Sequence, residues 1–248
     1  MAHSSDSSSV WSSAFVHDSL ADGVDVLADR LALGLASAVG VIALLFVLIA
    51  AYIGFQGGDV EVIPASVLYA SSGASLLVVF AIVWVRLEPG ERRAAFPVSR
   101  PSPVELGWTL AFVPLGVGGF VAGLEAAALA GFGLEPFAYD VTDPATLAAV
   151  VFGAVLLAPV VEEALYRGLL LGTLLGRGWS PVAAGLATIA LFAALHYPHL
   201  GVAGVLAIAG WSIFPTILRL RFDSIVGPWL LHLLNNVYAY VLFVAFVS

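Results

Sequence analysis

The sequence contains no cysteine, so disulfides and thiolate metal sites are excluded. It contains no lysine either, and all nine cations are arginines. Charged residues of both signs make up only 10% of the 248 residues, against about 25% in an average soluble domain. That is too little charge to coat a water-facing surface. The formal charge of −8 leaves no basic face for nucleic acid. The first residues lack a basic stretch followed by an apolar run and a cleavage site, so they do not read as a signal peptide. What remains is apolar: 61% of the chain is hydrophobic and its mean hydropathy is +1.03. Lipid is the natural solvent for such a chain.

A membrane-spanning helix needs roughly 20 mostly apolar residues. Seven stretches qualify, at roughly 31–55, 63–86, 105–131, 145–173, 181–198, 200–218 and 224–247. The expected fold class is an all-α polytopic transmembrane bundle of seven spans, or eight if an N-terminal helix also inserts. Residues 1–30 form a polar tail, Ser-rich to about residue 13. Within it Asp18, Asp22, Asp25 and Asp29 make one stripe, and Leu20, Val24, Leu27 and Leu31 another. This spacing predicts an amphipathic helix. Residues 31–248 form the transmembrane domain. Pro159 and Pro215 are expected to kink the fourth and sixth spans, and Pro198 to mark the end of the fifth.

The arginines test this layout. Seven spans place Arg30, Arg86, Arg92, Arg93, Arg100, Arg177, Arg219 and Arg221 on one side. The opposite loops carry Asp59, Glu61, Glu135, Asp140 and Asp143 and no arginine. The positive-inside rule then predicts a multi-pass cell-membrane protein with a cytoplasmic N-terminus and an outside C-terminus. Only Arg167 falls within a span.

Ionisable groups inside a bilayer are costly and mark function by default. Here they are few. The fourth span holds Glu162, Glu163 and Arg167; the fifth ends with Phe192, His196 and His199; the seventh holds His232, Asn235 and Asn236; the third holds Glu125. Glu163 and Arg167 are four apart and share a helix face, so they pair. Glu162 is rotated about 100° away. It is left in a low-dielectric site and is suited to act as a general base. His232 and Asn236 are also four apart. With His196 they complete a set able to activate a water and stabilise an oxyanion. His199 and Asn235 read as structural, and Glu125 has no motif to support it. Gly116, Gly118, Gly119 and Gly123 read as close helix packing. Trp84, Trp108 and Trp229 read as interface anchors.

In order along the chain, these elements resemble the signature of the CPBP family of intramembrane proteases, the CAAX-protease and bacteriocin-processing (Abi) proteins. The EExxxR motif falls at Glu162, Glu163 and Arg167, FxxxH at Phe192 and His196, and HxxxN at His232 and Asn236. The resemblance covers about residues 105–247. It implies an endopeptidase like the type II CAAX prenyl proteases, acting on a lipidated or membrane-anchored peptide or protein. Glu162 and His196 would activate the water, His232 and Asn236 would bind the oxyanion, and Glu163, Arg167 and Phe192 would support them. Family members are often described as metalloproteases. Glu162, His196 and His232 would make a three-ligand zinc set with an open position, although the HExxH pattern is absent. The sequence leaves zinc-dependent and metal-free hydrolysis both open. The family also holds immunity proteins, and intramembrane Glu, His and Arg residues mark proton and ion paths in transporters, though no internal repeat of the transporter kind is present. One geometric condition follows. Counted from the cytoplasmic ends, Glu162 and His232 lie ~12–16 Å deep and His196 ~22 Å deep. They meet only if the fifth span starts below the surface or tilts.

Overall fold

A computed structural model describes residues 23–58, 60–134 and 139–244. The expected tail before residue 23, with Asp18, Leu20 and Asp22, lies outside the described residues, as do Asp59 and Glu135.

The described chain is built of helices. A 3₁₀ turn, Asp25–Arg30, leads into α1 (Leu31–Phe55), followed by α2 (Ala65–Arg86), α3 (Pro89–Ala95) and α4 (Pro103–Leu129). The long helix α5 runs Pro144–Gly176. Then come α6 (Pro181–Ala194), α7 (Tyr197–Phe222) and α8 (Val226–Val237), which continues as a π-helical turn, Tyr238–Phe243. Five segments are long and apolar enough to cross a membrane: Asp25–Phe55, α2, α4, α5 and α7. The other two expected spans fall on α6 and α8, which are shorter. The chain is an all-α polytopic bundle.

The helix starts follow from the sequence. Four helices open on a capping residue and a proline: Glu88-Pro89, Ser102-Pro103, Asp143-Pro144 and Ser180-Pro181. The side chains of Ser102, Asp143 and Ser180 each accept a hydrogen bond from a first-turn backbone N–H. Proline at the first position gives up only an N–H that had no partner. Pro198 acts the same way. It sits in the first turn of α7 rather than closing the preceding helix, which stops earlier, at Ala194. The break inside α7 falls at Gly201 (φ 60°, ψ −163°), a conformation open to glycine, and not at Pro215.

Packing is close where side chains are small. A Cβ at Gly119 would stand 2.6 Å from the Gly210 carbonyl oxygen, and one at Gly123 would meet the Leu206 carbonyl, so α4 and α7 touch backbone to backbone. Gly118, by contrast, has nothing near it. Helix α5 is the centre of the bundle. Its N-terminal half lies against α2, where Gly153 approaches the Tyr69 carbonyl. Its C-terminal half is covered by α3, with Gly168 against the Ala95 carbonyl, and by Val24 and Leu27 against Gly172 and Gly176. The described part of the N-terminal segment is therefore docked on the bundle, with Val24 and Leu27 buried.

The arginine-bearing segments gather at one end of the bundle. Arg30 forms a two-pronged pair with Glu91 at 2.6 and 2.9 Å. Arg177 donates to the Ala28 carbonyl at 3.1 Å. The Ile225 N–H donates to the Pro97 carbonyl at 3.0 Å, which ties the α7–α8 turn to the same region.

Candidate functional site

The site is built on α5. From Val161 to Leu174 every residue is buried except Glu162, whose side chain is 19% exposed. It is the one accessible side chain in an otherwise sealed stretch.

Local backbone geometry frames that carboxylate. Two π-helical segments, Val150–Leu157 and Glu163–Leu170, flank a short α-helical piece, Ala158–Glu162. π turns inside helices concentrate at functional sites. The cause of the first lies in Pro159, which lacks an N–H and whose ring crowds the carbonyl one turn earlier.

The neighbours of Glu162 are fixed by a chain of polar contacts. Glu163 and Arg167, both fully buried, pair at 3.2 Å. Arg167 also donates to the Ser212 hydroxyl on α7, and its guanidinium lies 4.4 Å from the Phe192 ring centre. A second buried arginine, Arg219, donates to the Arg167 carbonyl at 3.2 Å and to Asp223 at 2.6 Å. Oε1 of Glu163 also holds Nδ1 of His232, at 2.8 Å. The other ring nitrogen of His232, Nε2, then faces Glu162 Oε2 at 3.7 Å. One turn further along α8, Asn236 Nδ2 donates to the Ala154 carbonyl at 2.9 Å.

His196 arrives from a third direction. It lies with Leu195 between α6 and α7, just before the first residue of α7. Its backbone N–H donates to the Ala193 carbonyl, and its Nδ1 lies 2.7 Å from the Phe192 carbonyl. A carbonyl only accepts, so Nδ1 carries the hydrogen and Nε2 keeps its lone pair. Phe192 stacks edge-on between the two histidines, with ring centres 4.7 Å from His196 and 6.3 Å from His232.

The expected depth mismatch is resolved by where the helices end. Helix α5 runs on to Gly176, so Glu162 lies 14 residues from its end; His196 lies 15 residues from the start of α6 at Pro181. At ~1.5 Å per residue these are ~21 and ~22 Å from the same hairpin. Helix α8 starts at Val226, six residues before His232. Its first turn is held by the buried Glu105 in the first turn of α4, which accepts the Gly227 N–H at 3.0 Å.

The structure thus brings Glu162, Glu163, Arg167, Phe192, His232 and Asn236 together, with His196 beside them through Phe192. Among the described residues no three of His, Asp and Glu gather closely enough to hold a metal ion. The zinc set Glu162, His196 and His232 therefore lacks the grouping that coordination requires. Glu125 and Asn235 stay outside the constellation, although Asn235 reaches the Asn236 amide oxygen at 3.4 Å. His199 contacts His196 at 5.4 Å between ring centres and is exposed.

Sequence reasoning missed three participants. Trp211 is buried with its ring 4.7 Å from that of His232, and Ser212 anchors Arg167. A Trp-Ser pair in the middle of a span, away from the interface where tryptophan gathers, was the available signal. The Ala154 carbonyl carried no signal in residue type.

Residues 144–238 match the family model described as type II CAAX prenyl endopeptidase Rce1-like. The matched stretch begins with α5 and ends two residues beyond Asn236, so it contains every residue of the constellation. It is the family that the three motifs resemble. No curated protein and no solved structure matches the chain.

Proposed function

We propose that this chain is an intramembrane endopeptidase that hydrolyses a peptide bond of a lipidated or membrane-anchored protein, in the manner of a CAAX-processing protease. The observation that carries the reading is the lone accessible carboxylate, Glu162, in a buried stretch, with an oriented imidazole on the facing helix. The family match over residues 144–238 supports it.

Each residue has a chemical task. Glu162 and Nε2 of His196 take the proton of the attacking water, and oxygen adds to the scissile carbonyl carbon. The carbonyl oxygen becomes an oxyanion beside His232 and Asn236, each of which supplies an N–H. For His232 that N–H is at Nε2, because Nδ1 is engaged by Glu163. The imidazolium form meets one carboxylate at each ring nitrogen, Glu163 at 2.8 Å and Glu162 at 3.7 Å. The C–N bond then breaks and the leaving amine takes the proton held by the base. Glu163 and Arg167 keep His232 in register. The protein sits in the cell membrane with its arginine-rich end in the cytoplasm.

Purified protein in lipid nanodiscs and a quenched farnesylated peptide test this directly. Glu162→Gln and His196→Ala are expected to lower the cleavage rate by about 10²–10⁴-fold with folding intact, the range for loss of a general base. Unchanged cleavage in both would sink the roles of Glu162 and His196. A chelator is expected to leave the wild-type rate unaltered, because the three side chains are not grouped as ligands.

A further inference from the structure

Asn236 is anchored by an acceptor that exists because of a proline on another helix. Within the first π-helical segment each carbonyl accepts from the N–H five residues on. The last such bond runs from the Ala158 N–H to the Gly153 carbonyl. The next acceptor in this register is Ala154, and its donor would be residue 159. That residue is Pro159, which is buried and has no N–H. Inside a buried helix an unpaired carbonyl is costly. Asn236 supplies the missing donor through Nδ2, at 2.9 Å.

We infer that Pro159 is a positioning residue for catalysis: by withholding its N–H it reserves the Ala154 carbonyl for Asn236 and so aims the carboxamide. The inference rests on the peptidase reading above. A carboxamide has two N–H bonds. Tying one to Ala154 sets the plane of the group and points the other in a single direction. Asn236 lies one turn beyond His232 on the same face of α8. The free N–H is therefore delivered to the oxyanion position by a link that runs from Pro159 through Ala154 to Asn236. Proline in this role costs helix stability, and its compensation is catalytic rather than structural.

Pro159→Ala restores the donor, so Ala154 gains an intrahelical partner and Asn236 is released. The expected result is a fall of about 10-fold in kcat with KM within about twofold, smaller than the 10²–10³-fold cost of removing an oxyanion donor outright. The melting temperature stays level or rises. Adding Pro159→Ala to Asn236→Ala produces no further loss, because the two act on one donor. Pro159→Ser restores the same N–H and serves as a second variant should the alanine protein fold poorly. A readout independent of activity is available because Asn235 and Asn236 are the only asparagines in the sequence. Asparagine labelled with ¹⁵N at the side-chain amide gives two NH₂ signals, assigned with Asn236→Ala. The hydrogen-bonded proton of Asn236 is expected downfield in the wild type and shifted upfield in Pro159→Ala. Full kcat in both proline variants, additive losses in the double variant, a lowered melting temperature accounting for the loss, or an unmoved Asn236 signal would each overturn the inference. If instead the wild-type protein cleaves no peptide, the peptidase reading fails, and the amide signal alone decides whether Pro159 holds Asn236.

Discussion

Helices α1 and α5 are both long and strongly apolar, yet they are built for opposite surroundings. Along α1 only Gly34, Ser37, Ala38 and Val41 are buried, and large residues such as Phe46 and Val47 face outward. Along α5 the stretch 161–174 is sealed but for Glu162, and it contains an ion pair with no exposure at all. Hydropathy does not separate them, because a lipid-facing side chain and a core side chain are both apolar. What separates them is the polar content: helix α1 has no ionisable residue of the acidic or basic kind between Leu31 and Phe55, whereas α5 has three within six positions. In a bilayer, buried charge identifies the central helix.

The largest test of this contrast removes a charge from the centre. Arg167→Ala takes the guanidinium from the buried Glu163 and leaves it the His232 imidazole; loss of one partner of a buried pair costs about 3–5 kcal/mol. Thermal unfolding in micelles is expected to show that loss, and cleavage is expected to fall with it. Val47→Ala on α1, where the side chain is 61% exposed, is expected to stay within about 0.5 kcal/mol. A sharper comparison uses glycine. Gly168→Ala drives a methyl into the Ala95 carbonyl and is expected to cost about 1–3 kcal/mol. Gly107→Ala on α4 meets nothing within 4 Å and is expected to gain about 0.5–1 kcal/mol from reduced backbone freedom. Equal effects at the two sites would mean that the close approaches do not exist.

The smallest effect belongs to the periphery. The Arg30–Glu91 pair is partly exposed, so a double-mutant cycle should return about 0.2–1 kcal/mol. Partial burial by itself would raise the Glu91 carboxyl, but the Arg30 guanidinium and the Glu88 N–H together outweigh it and hold the pKa below the ordinary value of 4.5. A carboxylate lowered on folding stabilises fully above its unfolded pKa and loses that contribution as pH falls through the folded value. The cycle repeated in acid should therefore give a smaller coupling than at neutral pH.

The contrast also explains what was legible in the sequence. Glu162, Glu163, Arg167, His196, His232 and Asn236 stood out because charge and amide groups are scarce in apolar spans, and spacing of four gave the Glu163–Arg167 pair directly. The longer helices followed from hydropathy, and so did the start of α6 at Pro181. Its end did not, since the apolar run continues through the turn into α7 and hides the break at Leu195 and His196. The second bond of Glu163, to His232, depends on how α5 and α8 meet, which no single helix records. The link from Pro159 to Asn236 depends on a change from α to π register, and residue periodicity does not encode it. Trp211 left one faint trace, its place in mid-span beside Ser212, since an aromatic residue is otherwise ordinary in a hydrophobic run.

The length of α6 has a consequence for the lipid around it. Fourteen residues rise ~21 Å, some ~9 Å less than a bilayer's hydrocarbon thickness. A chain reversal at that level is tolerated only where protein or an aqueous inlet covers the backbone. Tyr197, Pro198 and His199, just past the reversal, are exposed. The bundle therefore has a notch on this side, where the leaflet must thin or admit solvent, and the notch ends beside His196. On the proposed peptidase reading, bilayer thickness becomes a control on how readily water reaches His196, set by the membrane rather than by the site.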